Sequence, residues 1–169
     1  MLILKVITLF LIFICSTLIG IFMASRYRKR VEEISEMKKA LNMVETKMKF
    51  TYSPIPDIFE EVSKSFNNNV GKIFEKSCDY MRSKPLGEAW NLALDTIPTN
   101  LLKNDIDVLK GMAKLLGKTD IDGQISEIDL TDNFLNLQFD EAKKALDKNE
   151  KVYKSLGVIC GLALVIVLI

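Results

Sequence analysis

Arg26-Tyr-Arg-Lys-Arg-Val-Glu-Glu-Ile-Ser-Glu-Met-Lys-Lys-Ala-Leu-Asn-Met-Val-Glu-Thr-Lys-Met48 is the stretch on which the fold turns. Tyr27, Val31, Ile34, Met37, Leu41, Val44 and Met48 recur at three and four residues. Arg28, Lys29, Glu32, Glu33, Glu36, Lys38 and Lys39 fill the positions between them. That period is helical, with one dry face and one charged face. A helix with a single apolar stripe must be covered by other elements, so the stretch predicts a bundle.

Moving toward the amino terminus, no breaker intervenes before Val6-Ile-Thr-Leu-Phe-Leu-Ile-Phe-Ile-Cys-Ser-Thr-Leu-Ile-Gly-Ile-Phe-Met-Ala-Ser25. A helix of this length rises about 30 Å, the hydrocarbon thickness of a bilayer. A cleaved signal peptide needs a shorter run and small residues before the cut, whereas Phe22 stands at −3 of the best site. An uncleaved anchor is therefore expected. The other end, Ser155-Leu-Gly-Val-Ile-Cys-Gly-Leu-Ala-Leu-Val-Ile-Val-Leu-Ile169, is also uncharged. As a helix it reaches about 22 Å, and a snorkelling Lys154 with an interfacial Tyr153 extends it. The expected layout is a transmembrane anchor over 1–25, a soluble helical bundle over 26–154 and a C-terminal transmembrane helix over 155–169.

Basic residues orient such a hairpin. Arg26, Arg28, Lys29 and Arg30 follow the first span, and Lys143, Lys144, Lys148, Lys151 and Lys154 precede the second. The positive-inside rule then places the middle in the cytoplasm.

Within the middle, Tyr52-Ser-Pro-Ile-Pro56 ends the first helix. A helix over 56–66 follows, with Ile58, Phe59, Val62 and Phe66 inward. Asn67, Asn68 and Asn69 form a turn or cap. The next helix, over 70–81, turns Val70, Ile73, Phe74 and Cys78 inward. Pro85 opens a helix carrying Leu86, Ala89, Trp90, Ala93, Leu94 and Ile97, and Pro98 closes it. Asn104 caps a helix with Ile106, Leu109, Met112, Ala113 and Leu116 inward, stopped by Gly117. The last helix starts at Thr119-Asp120 with a stripe of Ile121, Ile125, Ile128, Leu135, Phe139, Ala142, Leu146 and Tyr153. The sum is an all-α cytoplasmic helical bundle of about six helices between an N-terminal and a C-terminal transmembrane helix.

Composition excludes much chemistry. The chain has 169 residues, no histidine, 23 basic and 22 acidic side chains, and is 49% hydrophobic. Without histidine there is no His-based acid/base pair, nucleophile pair or metal ligand. Only Lys5 among the charged residues lies outside 26–154, so that span holds 22 of each sign and is neutral. Nucleic acid is not expected as a partner, since a duplex binder needs a basic surplus. Cys15 and Cys160 fall in the spans, and Cys78 reads as a structural thiol. No P-loop, GxSxG, HExxH or paired CxxC occurs. Asp120-Ile-Asp122-Gly123 lacks the spacing of a calcium loop and reads as a helix start. No metal or cofactor is expected. Glu32, Glu33, Glu36 and Glu45 alternate with lysines, as on a solvated helix face. Trp90 reads as a core anchor.

In the apolar ends, Gly157-Val-Ile-Cys-Gly161 is a GxxxG, and Ser16-Thr-Leu-Ile-Gly20 is a small-xxx-small run. This spacing lets two helices approach closely, either within one hairpin or between subunits of a homo-oligomer.

The whole chain resembles the stage III sporulation protein AB family. The resemblance rests on Ala40-Leu41 and Glu45, then Phe50 and Ser53-Pro54-Ile55, then Ala89-Trp90. It continues through Leu116-Gly117-Lys118-Thr119-Asp120 with Gln124, and ends on Lys154-Ser155-Leu156-Gly157 with Gly161. Lys47 and Ala113 depart from the family pattern, where an acid and a glycine are usual. The resemblance implies a likeness to the platform proteins of type II secretion and type IV pilus systems. It implies a non-enzymatic subunit of a transenvelope complex joining mother cell and forespore in endospore formation. The implied location is the mother-cell membrane facing the forespore. The implied partners are the companion stage III sporulation protein AA, an ATPase, and other subunits of the complex. Asp120 and Gln124 are candidate partner contacts, although both also suit a helix start. The rival reading is a membrane-anchored helical sensor or regulator, which would need a polar-lined pocket in the bundle. A membrane enzyme would need convergent titratable groups, and none stands out.

Overall fold

A computed structural model of the chain describes residues 2–51 and 53–168, with side chains for 4, 7–51 and 53–167. Its helices are α1 (Leu2–Thr51), α2 (Ile55–Ser65), α3 (Asn69–Met81), α4 (Leu86–Thr96), α5 (Lys103–Met112) and α6 (Ile121–Leu168). There are six, and no strand occurs among the described residues. Of these helices, α1 alone is long and apolar enough to cross a membrane. The chain divides into two compact units, one of Met1–Val31 with Glu141–Ile169 and one of Glu32–Asp140.

The 32–140 unit is built as its periodicity requires. Ile34, Met37, Ala40, Leu41, Val44 and Met48 of α1 are buried, while Lys39 and Thr46 between them are exposed. Ile58, Phe59 and Val62 of α2 and Val70, Ile73 and Phe74 of α3 are buried as well, and α2 packs on α3. The centre is aromatic. The Phe59 and Phe74 ring centroids lie 4.9 Å apart, and those of Phe59 and Phe74 lie 5.6 and 5.1 Å from the Trp90 ring. All three side chains are fully buried. Edge-on and tilted contacts of this kind suit ring quadrupoles. The indole Nε1 donates to the Leu109 carbonyl at 2.9 Å, which ties α4 to α5 and satisfies the indole N–H.

Local chemistry sets the helix ends. Pro56 sits in the first turn of α2, where a missing N–H costs nothing. Of the three asparagines, Asn68 is the cap: its side chain accepts from the Val70 and Gly71 amides at 2.9 and 3.2 Å. Pro85 occupies the N-cap position of α4, so the helix starts at Leu86, one residue after the expected start. Tyr52, in the segment expected to end α1, lies outside the described residues.

Three expectations are corrected. Asn104 does not cap α5. The N-cap position is Leu102, and the fully buried Asp105 accepts from the Leu102 amide at 2.7 Å. A carboxylate at the third helical position reaches back to the N-cap amide, the reciprocal half of a capping box. Helix α5 ends at Met112, and Ala113–Leu116 form turns that still bury Ala113 and Leu116. Gly117 then takes φ 74°, a conformation a side chain resists. Ile121 is 41% exposed, because the inward stripe of α6 starts only at Gln124 and Ile125.

Trp90→Ala removes the largest core side chain and orphans the Leu109 carbonyl. It is expected to cost about 3–5 kcal/mol. Trp90→Phe should cost clearly less. Chemical denaturation of the detergent-solubilised chain, followed by circular dichroism, checks the order.

Candidate functional site: the small-residue seam and the polar clusters

In the unit formed by 1–31 and 141–169, the N-terminal half of α1 and the C-terminal half of α6 run antiparallel. Small residues let them meet. A Cβ added at Gly20 would lie 2.6 Å from the Tyr153 carbonyl oxygen and 2.9 Å from the Gly157 Cα. One at Gly157 would lie 3.0 Å from the Gly20 Cα. One at Gly161 would meet the Phe13 ring at 2.9 Å and the Ser16 Cβ at 3.3 Å. Backbone therefore touches backbone here, which larger side chains would forbid. Ser16 Oγ donates to the Gly157 carbonyl at 2.8 Å, an interhelical hydrogen bond within the seam. Ser16, Gly20, Gly157 and Gly161 are thus brought together within one chain. The outer faces of the same helices are apolar and open, with Phe10, Leu18, Ile19, Phe22, Ile159 and Ile166 all at least half exposed.

Toward the charged flank, the rings of Tyr27 and Tyr153 stack at 5.7 Å. Glu150 then takes both Arg28 and, at 2.7 Å, Lys154. The Lys154 hydrogen bond, reinforced by Arg28, holds the Glu150 carboxyl below its ordinary range. Of the nine basic residues that flank the apolar ends, Arg26, Arg28, Lys29, Lys143, Lys144, Lys148, Lys151 and Lys154 are exposed. Arg30 is buried and engaged.

Asp120 and Gln124 are occupied by the fold. Asp120 Oδ1 accepts from the Gly123 amide at 3.0 Å, as an N-cap does. Gln124 is buried, accepts from the Gly117 amide at 2.8 Å and donates to the Thr119 carbonyl at 2.8 Å. It pins the positive-φ turn onto the start of α6.

Glu33 departs from the solvated-face expectation. Its Oε1 accepts from Asn69 Nδ2 at 3.0 Å and Asn100 Nδ2 at 2.9 Å, and its Oε2 accepts from the Asn100 amide at 2.6 Å. One carboxylate thereby joins α1, the start of α3 and the loop before α5. Nothing in the local pattern distinguishes it from Glu32 or Glu36. The departures from the family pattern also find places. Lys47 pairs with Glu61 on α2, and Ala113 is buried.

Cys78 lies in a groove between α2 and α3 lined by Asp57, Glu60, Lys64, Glu75, Asp79 and Arg82. Burial first, then the charges of Glu60 and Asp79, push its thiol up to about 11. This environment disfavours the thiolate and suits an inert cysteine.

These parts define an all-α protein with an apolar N-terminal helix and a helix pair closed on glycine. Compared with known proteins, a family model described as Stage III sporulation protein AB matches residues 5–169, and the chain belongs to that family. Stage III sporulation protein AB of Bacillus subtilis (strain 168) is 28% identical over 169 residues, covering 98% of this chain and 99% of the relative. A solved structure of a stage III sporulation protein AB aligns with a TM-score of 0.63 at 24% identity, over 70% of this chain and 97% of that one. At that identity the likeness speaks to the fold. The chain is therefore a sporulation protein.

Two outcomes are expected. With the native cysteines replaced by alanine, cysteines at positions 27 and 153 should be joined by a short bismaleimide. Adding Gly20→Ile should lower the yield at least about tenfold, since the added carbons cannot fit the seam. In a Cys15→Ala/Cys160→Ala chain, Cys78 should alkylate at pH 8 roughly a hundredfold more slowly than a free cysteine. Its rate should keep rising toward pH 11, where an ordinary thiol has already levelled off. Stopped-flow maleimide kinetics against pH give both.

Proposed function

We propose that this chain is a non-enzymatic membrane platform subunit of a secretion-like transenvelope complex between mother cell and forespore. It crosses the membrane twice, as a hairpin closed by Ser16, Gly20, Gly157 and Gly161, and keeps the 32–140 bundle in the cytoplasm. It docks the companion stage III sporulation protein AA, which supplies the ATPase activity.

The observation that carries this reading is the design of α1 and α6. Each is a single helix with a charged, core-forming part and an apolar part with open outer faces. A continuous helix carries displacement without a slack linker, which suits a subunit that anchors or transmits. The basic residues at 26–30 and 143–154 support the cytoplasmic placement. The short second span is supported by the exposed Lys154 at its edge, whose ammonium can snorkel. A sensor would call for a polar pocket in the core, and the cluster at the bundle centre, Phe59, Phe74 and Trp90, is aromatic.

Affinity purification of the full chain from sporulating cells, in mild detergent, should recover the AA ATPase; its absence would count against docking. Glycine insertions after Arg30 and before Lys154 should abolish sporulation while the protein still reaches the membrane. Normal spore counts in that variant would sink the coupling role.

A further inference from the structure

Within the 32–140 unit, α6 has a second apolar face. Gln124, Ile125, Ile128, Thr131 and Leu135 are buried in the bundle. Leu130, Phe134 and Leu137 point elsewhere, roughly 140° around the helix at 3.6 residues per turn. They are 48%, 48% and 61% exposed. Their i, i+4, i+7 spacing is that of a helix ridge that receives another helix.

The rim of this ridge is acidic. Between Lys118 and Lys143 the chain has no basic residue. At about 100° per residue, Glu127 lies about 50° from the ridge on one flank, and Asp122, Asp140 and Asp129 lie about 90° to 110° from it on the other. Lys38 of α1 is engaged by Asp132 and Asn136 on a different side of α6. Lys49 feels the charge of Asp129, but its hydrogen bond goes to Glu45. Neither Glu127 nor Asp140 has an ion-pair partner among the described residues.

We propose that the Leu130–Phe134–Leu137 ridge of α6 binds a basic amphipathic helix of another protein. Three apolar side chains of the partner would lie along the ridge, and its lysines or arginines would face Glu127, Asp129 and Asp140. Charge decides among occupants. A second copy pairing through the same face would set these acids against their own images, which is repulsive. An anionic lipid surface is repelled in the same way. A cationic helix gains on both counts, since burying the ridge and neutralising its rim act together. The proposal assumes nothing about the ATPase, so recovery of that protein and occupancy of this ridge can fail separately.

The test places the photo-crosslinker p-benzoylphenylalanine at position 134 of the full chain in sporulating cells and sequences the adduct. The expected adduct is a peptide of another protein with net positive charge and apolar residues at helical spacing. Asp129→Lys with Asp140→Lys should cut its yield at least roughly tenfold. If that pair disturbs the melting curve, Asp129→Asn with Asp140→Asn must still lower the yield. No adduct, an adduct with a copy of this chain or with lipid, a peptide without positive charge, or a yield untouched by the folded charge variant would each overturn the proposal.

Discussion

Trp90 can be buried completely because its one polar atom finds the Leu109 carbonyl. An indole left with an unmet N–H in an apolar centre would cost a large share of the stability of a domain this small. With the bond made, the ring becomes the surface on which Phe59 and Phe74 rest, so α2, α3, α4 and α5 are fixed through one side chain. The rest of the 32–140 unit fits around that cluster. Helix α1 brings a stripe of aliphatic residues, and Glu33 at its solvent edge gathers the Asn69 and Asn100 donors. An aromatic centre tied to backbone by a hydrogen bond is a rigid part.

The two units of the chain pack in different ways. In the 32–140 unit, apolar stripes meet because water expels them. In the unit of 1–31 and 141–169, the outer faces are as apolar as a lipid tail, so burial alone selects no partner face. Close fit does so there, through Gly20 against Gly157 and the hydroxyl of Ser16 on the Gly157 carbonyl. The stacked tyrosines and the Glu150 cluster close the charged end of the same seam.

Much of this was legible in the sequence, for a physical reason. The stripes of α1 to α4 follow the helical period, and period is a local property. Proline and asparagine mark their ends through equally local chemistry. The glycine and serine spacings also stood out, because small residues are conspicuous in an apolar run. What stayed hidden depended on distant partners. Glu33 looks like any acid among lysines until Asn69 and Asn100 arrive from far along the chain. Asp105 caps α5 from inside the helix, where Asn104 looked the better candidate. On α6, the second apolar stripe at Leu130, Phe134 and Leu137 is hidden in the sequence by the one at Ile125, Ile128 and Leu135, which alone satisfies the helical pattern.

The pairing of α1 with α6 has a consequence for synthesis. Lys38 and its partner Asn136 are 98 residues apart, whereas α2, α3 and α4 pack on neighbours in the chain. At about 5–20 residues per second, a ribosome needs roughly 5 to 20 s between the two. During that interval Lys38 has no α6 beside it. The nascent bundle thus stays unfinished until α6 has been made.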